Sequence, residues 1–254
     1  MLIDPKAAKV RGVAKLTKKD ARSSTGLFLL EGPQGLKEAL NRPKLIVELF
    51  ATEDAVERYP DLFERAESAR IEVQLVSEPV LKALTDTTTP QGVVAVCEQL
   101  HSDLEDIIAA KPRLVALLAN IRDPGNAGTV LRVSTNSVDV YNPKVVRSTT
   151  GSVFHVPFAI DVPIEAAIAA LKSAGLQVFA ANGGGAEIPS LGDKVLGLPT
   201  AWVFGNEAWG FEQSTLDLVD QEVAVPLYGA AESLNLATAA SICLYVTAFA
   251  QNKA

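Results

Sequence analysis

The sequence predicts an α/β protein with two domains, of which the second carries a mostly parallel sheet. Apolar runs of strand length alternate with helical patterns along most of the 254 residues. The run 113–118, Arg-Leu-Val-Ala-Leu-Leu, is apolar on both faces, as in a strand covered by helices on both sides of a parallel sheet. The polar stretch 98–106 interrupts the alternation. We therefore predict domains at 1–104 and 105–254.

The first domain is predicted to hold four strands with helices between them. The apolar runs predict strands at 27–31, 45–51, 71–76 and 92–97, and helices at 32–40, at 62–69 and from Glu78 onward. The turn 85–92 is rich in Thr and could face a ligand or merely connect two elements.

The composition indicates a protein with a substantial buried core. Hydrophobic residues make up 48% of the chain and charged residues 21%. Cys97 and Cys243 lie in apolar runs without metal or redox spacing, so we expect reduced core cysteines of a cytoplasmic protein. The first residues lack an apolar signal core, so nothing suggests export. With only His101 and His155 and no cysteine pair, no metal site is expected.

The charge distribution predicts a basic arm on an acidic body. The net charge of −7 argues against coating nucleic acid by bulk electrostatics. Residues 1–30, however, hold seven basic and two acidic residues, which is +5 and leaves −12 for the remainder. The arm has helical character, and it could grip a phosphate backbone or form a solvated surface helix. Its candidate RNA-binding residues are Lys15, Lys18, Lys19 and Arg22.

Two segments of the second domain follow predicted strands and carry polar groups. Residues 120–132 contain a Pro-Gly turn and a helix start, the arrangement by which open parallel sheets present ligand groups at their carboxyl ends. Asn126 and Arg132 lie on well-separated faces of that helix. At most one of them therefore needs to be a solvent-facing polar residue without a further role. After a strand at 200–204, Gly205 and Gly210 bracket Glu207 and permit close backbone approach.

The third segment, 225–245, is predicted to be a strand end, a glycine-bearing loop and a helix that is apolar on every side, as in a buried helix. Its opening turn holds Glu232, Ser233 and Asn235. This turn is either the centre of a ligand site or the start of a capped core helix with Ser233 as N-cap. A membrane span is disfavoured, because the apolar run is short and is broken by Thr238 and Ser241.

Common catalytic and nucleotide motifs are missing from the sequence. There is no Gly-x-Gly-x-x-Gly and no Walker A lysine, and the triple glycine 183–185 lacks their spacing. No serine lies in a nucleophile-elbow pattern, which disfavours a Ser-His-Asp hydrolase.

Residues 120–132, 202–210 and 225–242 together resemble the three ordered motifs of the SpoU (TrmH-type) RNA ribose 2′-O-methyltransferases of the SPOUT superfamily. The stretches 137–147 and 150–157 extend the resemblance. Residues 28–32 and 89–96 are similar to the substrate-binding domain often fused in front of these enzymes, which has a ribosomal-protein-like α/β fold. Nearly the whole chain is covered.

The resemblance implies a catalytic domain with a deep trefoil knot, a rare exception to ordinary chain topology. It implies S-adenosylmethionine as cofactor, RNA as partner, with 23S-type rRNA favoured over tRNA, and a homodimer formed through the C-terminal domain. Neither a membrane nor a metal is implied. By position, the catalytic residues would be Asn126, Arg132, Glu207, Ser233 and Asn235. The cofactor would be bound by Gly205, Glu207, Leu227, Gly229, Ser233, Leu234 and Asn235.

Arg132 falls on the family's proposed proton acceptor. A guanidinium with a pKa above about 12 is a poor base, so we favour Arg132 holding the target phosphate and lowering the pKa of the hydroxyl. Phosphate or water would then take the proton.

Two departures from the family pattern stand out. After Asn235 the family usually shows Val-Ser, whereas this chain has Leu236-Ala-Thr238, which is similar in bulk. Between Arg132 and Ser137 there are only four residues, whereas family members complete the helix and add a strand. A parallel crossover needs a dozen or more residues, so we expect a lost strand or an omitted segment, and favour the latter.

Three rival functions remain open. A catalytically inactive RNA-binding paralogue would be favoured by loss of Asn126, Arg132 or Glu207, all of which are present. A base-methylating SPOUT enzyme would carry different motifs. A Rossmann-like enzyme that does not act on RNA is the third.

Overall fold

The structure, a computed structural model, describes residues 1–129, 133–135, 138–206, 208–230 and 233–253. The chain divides into two compact units. The first comprises Met1–Leu100 and Asp139–Val156, and the second His101–Val138 and Pro157–Ala254. The division differs from the predicted domains 1–104 and 105–254 chiefly in the segment Asp139–Val156, which groups with the first unit.

The elements are numbered here in chain order. The helices are α1 (Ala8–Ala14), α2 (Lys19–Thr25), α3 (Pro33–Ala39), α4 (Glu53–Arg58), α5 (Pro60–Ser68), α6 (Glu78–Leu84), α7 (Leu104–Ala109), α8 (Pro124–Thr129), α9 (Pro143–Ser148), α10 (Ile164–Ser173), α11 (Ile188–Leu196), α12 (Gln213–Leu216) and α13 (Leu236–Gln251). The strands are β1 (Leu27–Glu31), β2 (Ile46–Ala51), β3 (Val73–Leu75), β4 (Val93–Glu98), β5 (Leu114–Ala119), β6 (Val133–Thr135), β7 (Ala159–Ile160), β8 (Gln177–Glu187), β9 (Thr200–Phe204) and β10 (Gln221–Ala224).

The first unit contains a mixed four-stranded sheet in the order β1-β4-β2-β3. Strand β4 is antiparallel to β1 and β2, and β2 is parallel to β3. The four predicted strands are confirmed to within a few residues. Helix α4 lacked an apolar repeat strong enough to predict it, although Thr52 accepts a hydrogen bond from Ala55 N–H as its N-cap.

The helical part of the basic arm packs against the rest of the first unit. Val10, Val13 and Leu16 are buried in the same cluster as Leu29 and Phe50. Lys15, Lys18 and Lys19 are exposed, as an RNA-binding role requires.

The structure corrects the assignment of Arg22 to RNA binding. Arg22 is only 2% exposed. Its Nη1 donates to Leu16 O at 2.7 Å, and its Nε donates to Asp139 Oδ2 at 3.1 Å. A buried guanidinium that already donates to these groups cannot also contact a phosphate, so Arg22 is structural.

The second unit contains a six-stranded sheet in the order β10-β8-β9-β5-β6-β7, and every pair in it is parallel. This confirms the predicted α/β class and parallel sheet. Its central strands β5 and β9 are almost wholly buried, which explains their continuous apolar sequence.

Strand β6 bears on the short stretch after Arg132. Val133–Thr135 pairs with β5 on one side, and its first two residues pair with β7 on the other. We expected that, with only four residues between Arg132 and Ser137, the sheet would lack a strand, and this expectation is wrong. Residues 130–132 and 136–137 lie outside the described residues, so the omitted segment stays a prediction.

Helix α13 is buried on one side only, which corrects the expectation of a helix buried all round. Ala240, Cys243 and Thr247 are buried, whereas Tyr245 is 72% exposed and Phe249 is 56% exposed. The buried side is fixed by Trp202, whose Nε1 donates to Thr247 Oγ1 at 3.0 Å. None of the described helices is both long and apolar enough to cross a membrane.

Candidate functional site

The first part of the site is the turn between β5 and α8. Asn120 adopts a left-handed conformation with φ of 57° and redirects the chain at the end of the strand. Asp123 Oδ1 accepts a hydrogen bond from Asn126 N–H at 2.8 Å, as a side chain at a helix start commonly does. Asn126 is thereby held at the carboxyl end of the sheet, 7% exposed.

The second part is the tight turn after β9. Asn206 and Gly210 exchange two backbone hydrogen bonds of 2.9 Å. A side chain at Gly205 would place Cβ only 2.7 Å from Gly210 O, so the turn requires glycine there. Asn206 Nδ2 donates to Asn120 O at 2.7 Å and thus joins this turn to the first one.

The third part is the start of α13. The N-cap is Asn235 and not Ser233, because Asn235 Oδ1 accepts hydrogen bonds from Ala237 N–H and Thr238 N–H. The other end of the same amide, Nδ2, donates to Asn126 Oδ1 at 3.0 Å. The first and third predicted segments therefore meet through two side-chain amides.

A fourth part was missed from the sequence. Strand β8 leaves its register with β10 between Ala180, opposite Glu222, and Ala186, opposite Val223. The intervening residues 181–185 bulge outward, and Asn182 Nδ2 donates to Glu222 Oε2 at 2.7 Å. A Cβ at Gly185 would meet the Glu222 backbone within 2.4 Å, so close packing of two backbones explains Gly185, whereas a Cβ at Gly183 or Gly184 would meet nothing within 4 Å. The sequence feature that could have revealed this part is the run of glycines directly after a strand, because such glycines suggest a β-bulge.

These four parts line one cavity of about 790 Å³. Of the predicted site residues, it brings together Asn126, Gly205, Leu227, Ser233, Leu234 and Asn235. Gly229 does not line it. Arg132 and Glu207 lie outside the described residues. Sequence reasoning missed lining residues that include Arg122, Asp123, Asn182, Gly183, Asn206 and Trp209.

Neither cysteine lines this cavity. Cys97 and Cys243 are free and buried, and burial raises the pKa of both thiols to about 12. Within the described ranges, no group of three His, Cys, Asp or Glu side chains could hold a metal ion.

Comparison with known proteins places these observations in a family. Residues 113–245 match the SpoU rRNA Methylase family, and residues 29–102 match the domain described as RNA 2'-O ribose methyltransferase substrate binding. The chain is 34% identical, over 94% of its length and 96% of the relative's, to the 23S rRNA (guanosine(2553)-2'-O)-methyltransferase RlmP of Bacillus subtilis. It is 32% identical, over 75% of its length and 78% of the relative's, to the 23S rRNA (guanosine-2'-O-)-methyltransferase RlmB of Nitrosomonas europaea.

Solved structures agree with the sequence relatives. An AdoMet-bound rRNA methyltransferase from Sinorhizobium meliloti superposes with a TM-score of 0.80 at 27% identity, covering 97% of this chain and 96% of that one. The SpoU methyltransferase AviRb from Streptomyces viridochromogenes, in complex with the cofactor AdoMet, gives a TM-score of 0.81 at 25% identity, covering 98% of this chain and 100% of that one. The chain, with its parallel sheet and its three motif segments around one cavity, therefore belongs to the SpoU rRNA methylase family.

Proposed function

We propose that the protein transfers a methyl group from S-adenosylmethionine to a ribose 2′-hydroxyl of 23S-type rRNA. The observation that carries the proposal is the convergence of the three motif segments on one cavity, with Asn235 hydrogen-bonded to Asn126. The relatives named above are 23S rRNA 2'-O-methyltransferases, which supports this reaction and this RNA class.

The cavity fits the cofactor. Its volume of about 790 Å³ lies within the roughly 300–1,000 Å³ usual for small-molecule sites. Gly205 and Gly183 expose backbone in its wall, Leu227 supplies an apolar surface, and Ser233 and Asn235 supply polar groups. Such a mixture suits a ligand with an adenosine part and an amino-acid part. When bound, S-adenosylmethionine supplies an already activated methyl group.

The protein's own contribution is then positioning and management of one proton. A ribose hydroxyl is a poor nucleophile, so its proton must be accepted while the oxygen lies in line with the methyl group. Asn126 and Asn235 hold the first and third segments at a fixed separation on the cavity wall. Arg132 follows α8 in the sequence and, as we favour above, would hold the target phosphate instead of accepting the proton. Glu207 would bind the cofactor at the second turn, as the resemblance implies.

RNA selection would fall to the first domain. We assign residues 1–104, a ribosomal-protein-like domain, to substrate binding, and 105–254 to catalysis. Lys15, Lys18 and Lys19 are exposed and can contact phosphates, which are the dominant attraction in RNA binding.

The catalytic domain would form a homodimer and contain a trefoil knot. Tyr245 and Phe249 stack in parallel with ring centroids 6.3 Å apart on the exposed side of α13, where a partner helix would bury them. Sedimentation should give twice the 26.9 kDa protomer mass. Tyr245→Glu should give monomers, while Leu198→Glu, a matched change at an exposed apolar side chain outside α13, should not. A monomeric wild type would contradict the dimer.

Cofactor binding is tested by calorimetry on the wild type and on Gly205→Ala. The added methyl group would displace the turn at Gly210, so we expect a loss of affinity of about tenfold or more. Gly12→Ala is the control, because a methyl group there meets nothing within 4 Å. No heat with the wild type, or unchanged affinity in Gly205→Ala, would contradict the assignment.

The RNA target can be found by mass spectrometry of nucleosides. rRNA and tRNA from a strain lacking the gene should have lost one 2′-O-methylated nucleoside, which we expect in 23S-type rRNA. Loss from tRNA alone would overturn the rRNA assignment, and no loss would overturn the activity. The cytoplasmic location remains a prediction that follows from this substrate.

A further inference from the structure

Trp209 places a large aromatic surface at the rim of the cavity. It is 53% exposed and lines the cavity, whereas Trp202, the other tryptophan, is fully buried. Tryptophan is highly buried on average, so an exposed indole ring that lines a cavity is available to contact a ligand there.

Arg122 lies over this ring. Its guanidinium carbon is 5.0 Å from the ring centroid, within the range of a cation–π contact. Arg122 also lines the cavity, and no described carboxylate forms an ion pair with it. Its charge is therefore available to an anionic ligand at the cavity rim.

The two side chains are carried by turns that are tied together. Asn206 Nδ2 donates to Asn120 O at 2.7 Å, which joins the turn of Trp209 to the turn of Arg122. Asn206 Oδ1 also accepts from Ala208 N–H at 2.8 Å, and Asn206 and Gly210 close the second turn with paired backbone bonds. The platform is thus preorganised and loses little freedom when a ligand binds.

We propose that Trp209 and Arg122 form a stacking platform for a nucleobase of the RNA at or next to the methylated nucleotide. The proposal rests on the proposed function and adds to it the element that holds the base. Single-stranded RNA is commonly recognised by stacking its splayed bases on aromatic rings and guanidinium planes. An arginine additionally attracts the neighbouring phosphate.

The charge of Arg122 favours an RNA base over the adenine ring of the cofactor as occupant. S-adenosylmethionine carries a sulfonium and an ammonium cation against one carboxylate, so its net charge is positive, whereas RNA carries a negative charge at every phosphate. Stacking tolerates any base, so the platform holds a nucleotide in place without choosing its identity.

The first test is methylation kinetics with 23S rRNA transcribed in vitro and S-adenosylmethionine. Trp209→Ala should lower kcat/KM for RNA by about 10- to 100-fold, the range expected for one lost stacking contact. Trp209→Phe should restore most of the activity, because phenylalanine keeps an aromatic face. Cofactor affinity measured by calorimetry should stay within about twofold of wild type in both variants.

Arg122 has a matched control at the other end of the same strand. Arg113 precedes β5 and Arg122 follows it; both are exposed, and Arg113 donates to Gly197 O at 2.9 Å. Arg122→Ala should raise KM for the transcript by about tenfold, whereas Arg113→Ala should change it little. Equal effects of the two variants would show a general charge effect and overturn the platform.

A second readout reports stacking directly. Acrylamide should quench the fluorescence of exposed Trp209 and spare buried Trp202, and the transcript should protect Trp209 from the quencher. Trp209→Phe gives the background of Trp202 alone.

A wild type that methylates the transcript while Trp209→Ala retains full kcat/KM would overturn the platform and leave the proposed function intact. Loss of cofactor affinity in Trp209→Ala would instead place the cofactor's adenine on the ring and overturn the proposal. A wild type without any methylation would refute the proposed function itself.

Discussion

Asn235 hydrogen-bonds to Asn126 across 109 residues of sequence while it also caps α13. Its Nδ2 donates to Asn126 Oδ1 at 3.0 Å, and its Oδ1 accepts from the backbone N–H groups of Ala237 and Thr238. One amide thus fixes the start of a helix and joins two motif segments. The two tasks need a donor and an acceptor that point in different directions, and the side-chain amide of asparagine offers both. A serine hydroxyl is too short to span the two partners, and an aspartate carboxylate has no donor.

The two tasks can be separated by Asn235→Ser. Serine caps helices about as well as asparagine, so helix α13 should keep its N-cap, but the shorter side chain cannot reach Asn126. We expect thermal stability close to wild type and an affinity for S-adenosylmethionine that is lower by about tenfold, because the hydrogen bond that joins the first and third segments is lost. Calorimetry and thermal unfolding measure the two effects.

Asn142→Ser supplies the control for this variant. Asn142 is the N-cap of α9 and accepts from Lys144 N–H, but it does not line the cavity. It should change neither cofactor affinity nor stability by much. If Asn235→Ser bound the cofactor as tightly as Asn142→Ser does, the bond to Asn126 would have no role in the site.

The basic arm should contribute to RNA affinity through exposed lysines. Changing Lys15, Lys18 and Lys19 to glutamine should weaken binding of a 23S rRNA transcript and flatten its salt dependence by roughly one unit of slope per lost phosphate contact. Filter binding over a range of salt concentrations measures the slope. An unchanged slope would place the RNA contacts elsewhere.

Arg22 should behave differently from these lysines, because its guanidinium is buried against Asp139. Arg22→Ala should lower the free energy of unfolding by about 3 kcal/mol, since it leaves a largely buried carboxylate without its partner. Arg58→Ala, which breaks an exposed pair with Asp54 on one helix, should lower the free energy of unfolding far less, because solvent screens that pair. Urea titration compares them, and equal losses would mean that burial of Arg22 does not matter.

Glu31 should make stability depend on pH. Burial raises the pKa of this carboxyl above 4.5, and the raised value persists although Asp86 N–H donates to it and Arg147 Nη1 lies 2.9 Å from Oε2. Because the folded protein then binds the proton more tightly than the unfolded chain, this contribution is fully present below pH 4.5. It is lost as the pH rises through the raised folded value.

The measurement compares wild type with Glu31→Gln by urea denaturation at several pH values. The variant cannot titrate at this position, so its stability relative to wild type should improve as the pH rises through that interval. A difference that is independent of pH, or one that changes in the opposite direction, would contradict the raised pKa.

The stretch after Arg132 can be tested on the protein from its natural source. If the printed sequence is complete there, trypsin releases a peptide that runs from Val133 to Lys144 with the printed residues. The prediction of an omitted segment requires this peptide to be missing and a longer one to replace it. Finding the printed peptide by mass spectrometry would establish a true deletion, with β6 as the strand that remains.

The sequence was sufficient for the fold class and for much of the site, because these depend on local patterns. Apolar runs predicted β5 and β9, and the motif segments predicted Asn126, Gly205 and Asn235 at the cavity. Burial of single residues was harder to predict. The charge of Arg22 suggested RNA binding, but its partner Asp139 is 117 residues away and only the tertiary fold brings the two together.

Long-range packing also explains the other differences. The one-sided burial of α13 depends on which face meets the sheet, and an apolar sequence on all sides does not reveal this. The bulge at 181–185 depends on the register between β8 and β10. Trp209 and Arg122 lie in separate turns, which the hydrogen bond from Asn206 to Asn120 joins in the folded protein.

Transfer of a methyl group to a ribose oxygen can be tested with one labelled reaction in vitro. Purified protein is incubated with unmodified 23S rRNA transcript and S-adenosylmethionine labelled in the methyl group, and the RNA is then hydrolysed with alkali. A 2′-O-methyl group blocks cleavage of the adjacent phosphodiester, so we expect the label in alkali-resistant dinucleotides. We also expect Arg132→Ala to lose several powers of ten in rate at nearly unchanged cofactor affinity, with poor rescue by lysine, which lacks the bidentate fork. Label in ordinary mononucleotides would mean base methylation, and no label in RNA that the protein binds would mean a binding protein; either result would contradict the claim.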